Sequence, residues 1–301
     1  MLCEVGPRDG FQFEDQFIPT AMKAEIVEAL VEAGLERIQV TSFVHPGKVP
    51  QMKDAEQLVE RLPQHEGVTY AGLALNQQGL ERLHAAGLTQ ADLSIATHDR
   101  HSRANAGMSA AEAADEAEAM TEWALQRGLS VQVGLQTVFG YEEPGDTPLE
   151  QITALAERFA GPDGTPLESL SLADTTGMAS PPMVRRRIEA VREAAPETPL
   201  VLHLHDTRGL GLANAHAALE AGVERFDTSL AGMGGCPFVH GAAGNIATED
   251  TAYLMEQVGV DTGVDYRRVA AASRRIEDFL EKRFPGRLHR LPFVEGPPEI
   301  T

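Results

Sequence analysis

The chain has 301 residues, 43% of them apolar, and a formal net charge of −20. That length suits one α/β barrel. So acidic a surface argues against nucleic acid and anionic membranes as partners, since both need a positive footprint. No apolar run reaches the roughly 18 residues of a membrane span, and Met1–Val5 lacks the basic-then-apolar order of a secretion signal. With two cysteines only, Cys3 and Cys236, a disulfide scaffold is excluded and a reducing cytoplasm is the expected location.

Short apolar runs alternate with amphipathic helical stretches, the pattern of βα units on a parallel sheet. In chain order, strands are expected at Leu2–Val5, Arg37–Thr41, Thr69–Leu73, Ala91–Ile95, Ser130–Leu135, Ser169–Leu172, Leu200–His205 and Arg225–Ser229. Between them lie helices such as Thr20–Ala33, with Met22, Ile26, Val27, Leu30 and Val31 in a stripe, and Pro181–Ala194, with proline at its start. Gly34, Gly87, Gly128 and Gly222 stand where helices end and the next strand begins. The expected fold is a single (β/α)8 TIM barrel over about residues 1–262. A helical stretch, Tyr266–Phe284, and a Pro/Gly-rich tail follow as a C-terminal extension over 263–301.

Such barrels build their active sites at the C-terminal ends of the strands. His203-Leu204-His205 closes the seventh strand, and residues two apart share one face, so both imidazoles can enter the barrel mouth. An isolated pair of this kind is ordinarily just hydrogen-bonded protein. With Asp9 after strand one and Asn245 after strand eight, it reads as a mixed nitrogen–oxygen set for Mg²⁺, Mn²⁺ or a related divalent cation rather than a closed zinc site. Arg8 is placed either to hold a carboxylate or enolate oxygen or to pair internally across the mouth. Asp174 and Asp206 are strand-end carboxylates suited to orienting a ligand histidine, to pairing with Arg8, or to capping a helix. Cys236 sits in Gly232-Met233-Gly234-Gly235-Cys236-Pro237, a loop that would leave its thiol mobile, whereas Cys3 in mid-strand reads as inert. Gln12, Ser42, Thr175, Asn105 and Lys48 are candidates for substrate contact.

Glu4-Val5-Gly6-Pro7-Arg8-Asp9-Gly10 with Gln12 and Glu14, Thr41-Ser42-Phe43-Val44, Val49-Pro50-Gln51-Met52, His203-x-His205-Asp206-Thr207, Gly234-Gly235-Cys236-Pro237 and Gly244-Asn245 follow one another in an order that resembles the 3-hydroxy-3-methylglutaryl-CoA lyase family. The resemblance covers about residues 3–265. It implies retro-Claisen cleavage of a 3-hydroxyacyl-CoA to acetyl-CoA and a ketoacid. It also implies Mg²⁺ or Mn²⁺ on Asp9, His203, His205 and Asn245, an enolate-stabilising Arg8, and Cys236 in proton transfer. His203 and Asp174 join the expected catalytic set. The partners it implies are a small acyl-CoA and a second copy of the chain as a homodimer.

Three departures qualify the resemblance. Gln39 stands where the family has a glutamate, Phe13 and Asp15 where it tends to have asparagine and lysine, and Ala96–His101 differs from the usual loop. The expectation is therefore a retained metal scaffold with an altered substrate shell, so that a related thioester, such as a citramalyl-CoA, is an alternative substrate. A condensing synthase on an α-ketoacid is a second alternative, which the Gly-Gly-Cys-Pro loop disfavours. A barrel that binds metal or metabolite without turnover is a third, which Gln39 keeps open.

Overall fold

The computed structural model describes residues 1–160, 167–235 and 244–292. Eight strands, β1 (Leu2–Glu4), β2 (Arg37–Ser42), β3 (Thr69–Leu73), β4 (Gln90–Ala96), β5 (Ser130–Gln136), β6 (Ser169–Ala173), β7 (Leu200–His203) and β8 (Arg225–Thr228), close in sequence order into a barrel. Every pairing is parallel, including β8 back onto β1. The surrounding helices are α1 (Thr20–Glu32), α2 (Ala55–Arg61), α3 (Gln77–Ala85), α4 (Asp99–Ala106), α5 (Ala110–Leu125), α6 (Leu149–Phe159), α7 (Pro181–Ala194), α8 (Gly211–Glu220), α9 (Thr248–Gln257) and α10 (Tyr266–Leu280).

The apolar core lies between strands and helices rather than inside the barrel. Ile38, Val40, Leu93, Val131, Val133, Leu170, Leu172 and Leu202 point outward into it and are almost fully buried. Alternate positions on the same strands turn inward and are polar: Arg37, Gln39, Asp92, Gln132, Ser171 and Asp227 are buried too. Parallel strands normally read as continuous apolar runs. Here a polar interior imposes a period of two, which is why the strands stand out in the sequence. Gly34, Gly87, Gly128 and Gly222 all hold left-handed backbone, as helix-terminating glycines do.

β7 is shorter than expected. It stops at His203, and His205 bridges instead to Asn245, antiparallel. Backbone bonds from Ile246 to Leu204 and from Asp206 to Gly244 bind the two segments together. That crossing brings Asn245 beside the strand-seven histidines. Beyond the barrel, α10 packs on α1 and α9.

Candidate active site

After β1 the chain makes a wide π-type turn, Gly6–Gly10. A Cβ on Gly6 would meet Leu230 at 2.4 Å, and one on Gly10 would meet Met233 at 2.7 Å. Only glycine at both ends lets this turn press against the loop that follows β8, and so fixes where Arg8 and Asp9 stand. Asp9 Oδ1 accepts from Arg8 (2.5 Å) and from Gln12 Nε2 (3.1 Å), and Oδ2 accepts from Asn245 Nδ2 (2.7 Å). Burial pushes its carboxyl up, but Arg8, His203 and the Asn245 bond outweigh this and leave it below the usual range.

His203 Nε2 and His205 Nε2 face one another at 3.2 Å, and His203 Nε2 lies 3.9 Å from Asp9 Oδ2. Among the described residues, Asp9, His203 and His205 form a group able to hold a metal ion, one atom from each within 4.8 Å of the others. Burial and the neighbouring His203 push His205 down to about 3, so it is a neutral imidazole with a lone pair to give. Burial lowers His203 as well, but the bond and charge of Asp227 and then Asp9 raise it overall. Asp227 Oδ2, 3.3 Å from His203 Nδ1, turns Nε2 toward the cluster. Asn245 gives its Nδ2 to Asp9 and to the Met233 carbonyl, while its buried Oδ1 has no donor partner among the described residues.

Ligand atoms set at right angles, each about 2.1 Å from an octahedral cation, stand about 3 Å apart. The two imidazole nitrogens stand at that spacing, 3.2 Å, and the Asp9 oxygen lies a little wider, 3.9 Å from His203. Two imidazole nitrogens, a carboxylate and an orphaned buried amide oxygen, with no thiolate among the described residues, make a set that fits a divalent cation.

Arg8 is held from the other side. Its Nε donates to Gln39 Oε1, Gln39 Nε2 donates to Asp92 Oδ2, and Asp92 Oδ1 pairs with Arg37 at 2.6 Å. Arg37 stands 3.9 Å from Asp227, the carboxylate on His203. One polar chain thus runs through the barrel interior from the arginine to the metal-site histidine.

A cavity of about 230 Å³ opens on this cluster and is lined by Arg8, Asp9, Gln12, Thr175, His203 and His205, among others. Phe13 and Gly235 form part of its rim. Thr175 Oγ1 also accepts from the Thr137 N–H, which supports that residue's left-handed backbone (φ 58°). Ser42 is fully buried and lies outside this lining. Asp174 and Asp206 behave as turn-closing groups: Asp174 Oδ1 accepts from the Met178 and Ala179 N–H groups, and Asp206 Oδ1 from that of Gly211. Burial pushes Asp174 up to about 7. The histidine-orienting role considered for these two falls to Asp227. Lys48 lines a larger neighbouring cavity of about 330 Å³, which shares Leu75, Leu93, Ser94 and Gln136 with the first but holds none of the metal group. Cys236 and the side chain of Asn105 lie outside the described residues.

Sequence reasoning missed Asp227, Asp92, Arg37 and His101. Charged residues at inward positions of otherwise apolar strands were the signal for the first three. His101, buried in the divergent loop, reaches the pocket through α4 and bonds Gln136 at 3.0 Å.

A closed parallel barrel whose strand ends converge on an imidazole–carboxylate cation site defines a class: the metal-dependent barrel lyases and Claisen-type synthases, which break or make carbon–carbon bonds beside a carbonyl. Within it the chain belongs to the HMGL-like family, whose model matches residues 1–276, and it is a carbon–carbon lyase. It is 38% identical over 284 residues to a hydroxymethylglutaryl-CoA lyase of Bacillus subtilis, covering 94% of each chain. It is 38% identical over 275 residues, 91% of each chain, to a 3-hydroxy-3-isohexenylglutaryl-CoA/hydroxymethylglutaryl-CoA lyase of Pseudomonas aeruginosa. The solved hydroxymethylglutaryl-CoA lyase from Pseudomonas aeruginosa superposes with a TM-score of 0.91 at 37% identity, over 96% of this chain and 95% of that one.

Proposed function

We propose that this enzyme performs retro-Claisen cleavage of a 3-hydroxy-3-methylglutaryl-CoA-like thioester, releasing acetyl-CoA and a ketoacid. The observation that carries the reading is the convergence of Asp9, His203 and His205, with the orphaned Asn245 oxygen, beside Arg8. In this reading these four residues hold Mg²⁺ or Mn²⁺, which when bound supplies the positive charge that acidifies the substrate's 3-hydroxyl. Transfer of that proton to solvent lets the C2–C3 bond break. The oxygen's electron pair forms the carbonyl of the ketoacid, and the C2–C3 pair moves into the thioester to give its enolate. Arg8 stabilises the enolate oxygen, and Gln39 holds the guanidinium in place from behind. A proton delivered to C2, assigned to Cys236 by the family pattern, completes acetyl-CoA. Gln12 and Thr175 line the space where the acyl group lies. A cytoplasmic homodimer is the working form in this reading; sizing of the purified protein tests the second half of it.

The experiment is a panel of thioesters that includes 3-hydroxy-3-methylglutaryl-CoA and citramalyl-CoA, with Mg²⁺ or Mn²⁺. Acetyl-CoA release that a chelator stops, and that His205→Ala and Cys236→Ala lower at least about 100-fold, is the expected result. Survival of every thioester while condensation with an α-ketoacid proceeds would reverse the assigned direction.

A further inference from the structure

Below the metal cluster the pocket continues into the barrel. Gly134 on β5 pairs with Ser94 on β4 and Ser171 on β6. Ser171 Oγ lies 3.4 Å from Asp227 Oδ2, the carboxylate on His203, so this row stands beside the histidine, and Gln132, two residues earlier on β5, lies about 6.6 Å further down the strand than Gly134. Glycine in a strand interior forfeits packing and chain entropy, and no neighbour among the described residues demands it here. The Gly134 backbone is not left-handed, and an added Cβ would make only ordinary contacts with Leu93 and Ser94, at 3.4 Å and beyond. What the missing side chain does is uncover Gln132, one layer lower on the same strand. Gln132 is 4% exposed and lines the pocket; its Oε1 accepts from Ser169 Oγ, and its Nε2 has no acceptor among the described residues. The adjoining wall is polar as well, a bonded chain of His101, Gln136 and Ser94.

Small residues over an amide donor that faces the pocket without a protein acceptor describe a place for a ligand atom that accepts a hydrogen bond. Asp92 and Asp227 both face this space, and the single Arg37 cation that pairs with them offsets only one of the two charges, so a carboxylate would be repelled and a neutral group is favoured. We infer that this floor is a specificity pocket for a branch on C3 of the substrate, a chain of about four or five non-hydrogen atoms ending in a neutral hydroxyl or carbonyl that Gln132 receives. The inference deepens the lyase reading above and rests on it. A purely apolar branch of the same length would leave the Gln132 amide unpaired, and sites of this kind reject the analogue that lacks the polar atom.

The test compares three thioesters with the intact enzyme and Mg²⁺ or Mn²⁺: 3-hydroxyglutaryl-CoA bearing at C3 a methyl, an n-pentyl or a 4-hydroxybutyl group, the last two being isosteric. The wild-type enzyme is expected to favour hydroxybutyl over pentyl by at least about tenfold in kcat/KM. Gln132→Leu should abolish that preference, and Gly134→Val should lower the hydroxybutyl-to-methyl ratio by at least about tenfold. Equal use of pentyl and hydroxybutyl by the wild type overturns the inference, and that comparison needs no variant to fold. Ratios unmoved by both substitutions overturn it too. Cleavage of none of the three overturns the lyase reading itself, whereas cleavage of the methyl compound without discrimination sinks only the pocket.

Discussion

Gln39 is an amide because of what stands next to it. Its oxygen faces the Arg8 Nε–H and its nitrogen faces Asp92, so a single side chain satisfies a donor on one side and an acceptor on the other. A glutamate there would set two carboxylates against each other in a buried space. Gln39→Glu is therefore expected to destabilise the fold by about 1–3 kcal/mol. The pair Gln39→Glu with Asp92→Asn should recover most of that loss, because it exchanges amide and acid across the same contact. Urea unfolding of the four proteins in the cycle measures the coupling, and additive losses would break the argument. Glu4 makes a second case. It is fully buried; Oε1 accepts from the Gly6 and Leu230 N–H groups, and Oε2 meets the Thr248 hydroxyl at 2.6 Å, which itself donates to Thr228. Burial pushes its carboxyl up to about 8, from an ordinary 4.5. The folded state therefore keeps a proton that the unfolded chain has lost, and this group's contribution to stability falls as pH rises between those two values. Glu4→Gln, which can donate to Thr248 without a proton to lose, should gain at least about 1 kcal/mol relative to wild type between pH 5 and pH 8. Denaturant midpoints at the two pH values decide it.

At the scale of elements, the site depends on segments that are not strands. The stretch 244–247 carries Asn245 to His205 by running antiparallel to the end of β7. Its far side is tied to the C-terminal extension. His289, fully buried, lies between Glu249 on α9 (2.8 Å) and Glu277 on α10 (3.0 Å). Burial lowers His289, but its two carboxylate partners outweigh that and raise it above the usual imidazole range. Glu249 also accepts from the Ala231 N–H, in the loop pressed on the Gly6–Gly10 turn, and Gly286 donates to the Ala231 carbonyl. The extension is thus a brace for the loop side of the site. His289→Ala leaves two acids buried without their cation and is expected to cost at least about 3 kcal/mol. Thermal unfolding followed by tryptophan fluorescence checks it, and a loss below about 1 kcal/mol would mean that the brace carries little.

For the whole molecule, bound cation and fold are linked. A ligand that binds only the folded chain stabilises it by about 2.7 kcal/mol at a hundredfold excess over its Kd. Mn²⁺ should therefore raise the melting temperature of the wild type, while His203→Ala and His205→Ala should lose most of the shift. A calorimetric scan with and without chelator reads this directly, and an equal shift in all three proteins would place the ion elsewhere.

The strands, the helices and the ends that bear chemistry were legible because each rests on local periodicity. Outward Ile38, Val40, Leu170 and Leu172 alternate with inward polar residues, and a period of two needs no knowledge of partners. The convergence of Asp9 with His203 and His205 could be anticipated too, since strand ends of one barrel share one mouth. Asp227 and Asp92 could not be assigned roles in this way. Each is an acid inside a strand, and its meaning depends on Arg37, Gln39 and His203, which lie between 24 and 190 residues away and meet it only across the closed interior. Asp174 and Asp206 were overestimated for the complementary reason: a strand-end carboxylate looks the same whether it turns toward a histidine or closes its own loop. The sequence alone determined the barrel, the candidate cation group at its mouth and the class of chemistry, because those follow from short-range pattern and residue type. Only the tertiary structure decided which carboxylate orients His203, why an amide belongs at Gln39, and how deep the pocket runs below Gly134, since each depends on atoms that approach one another only when the sheet closes.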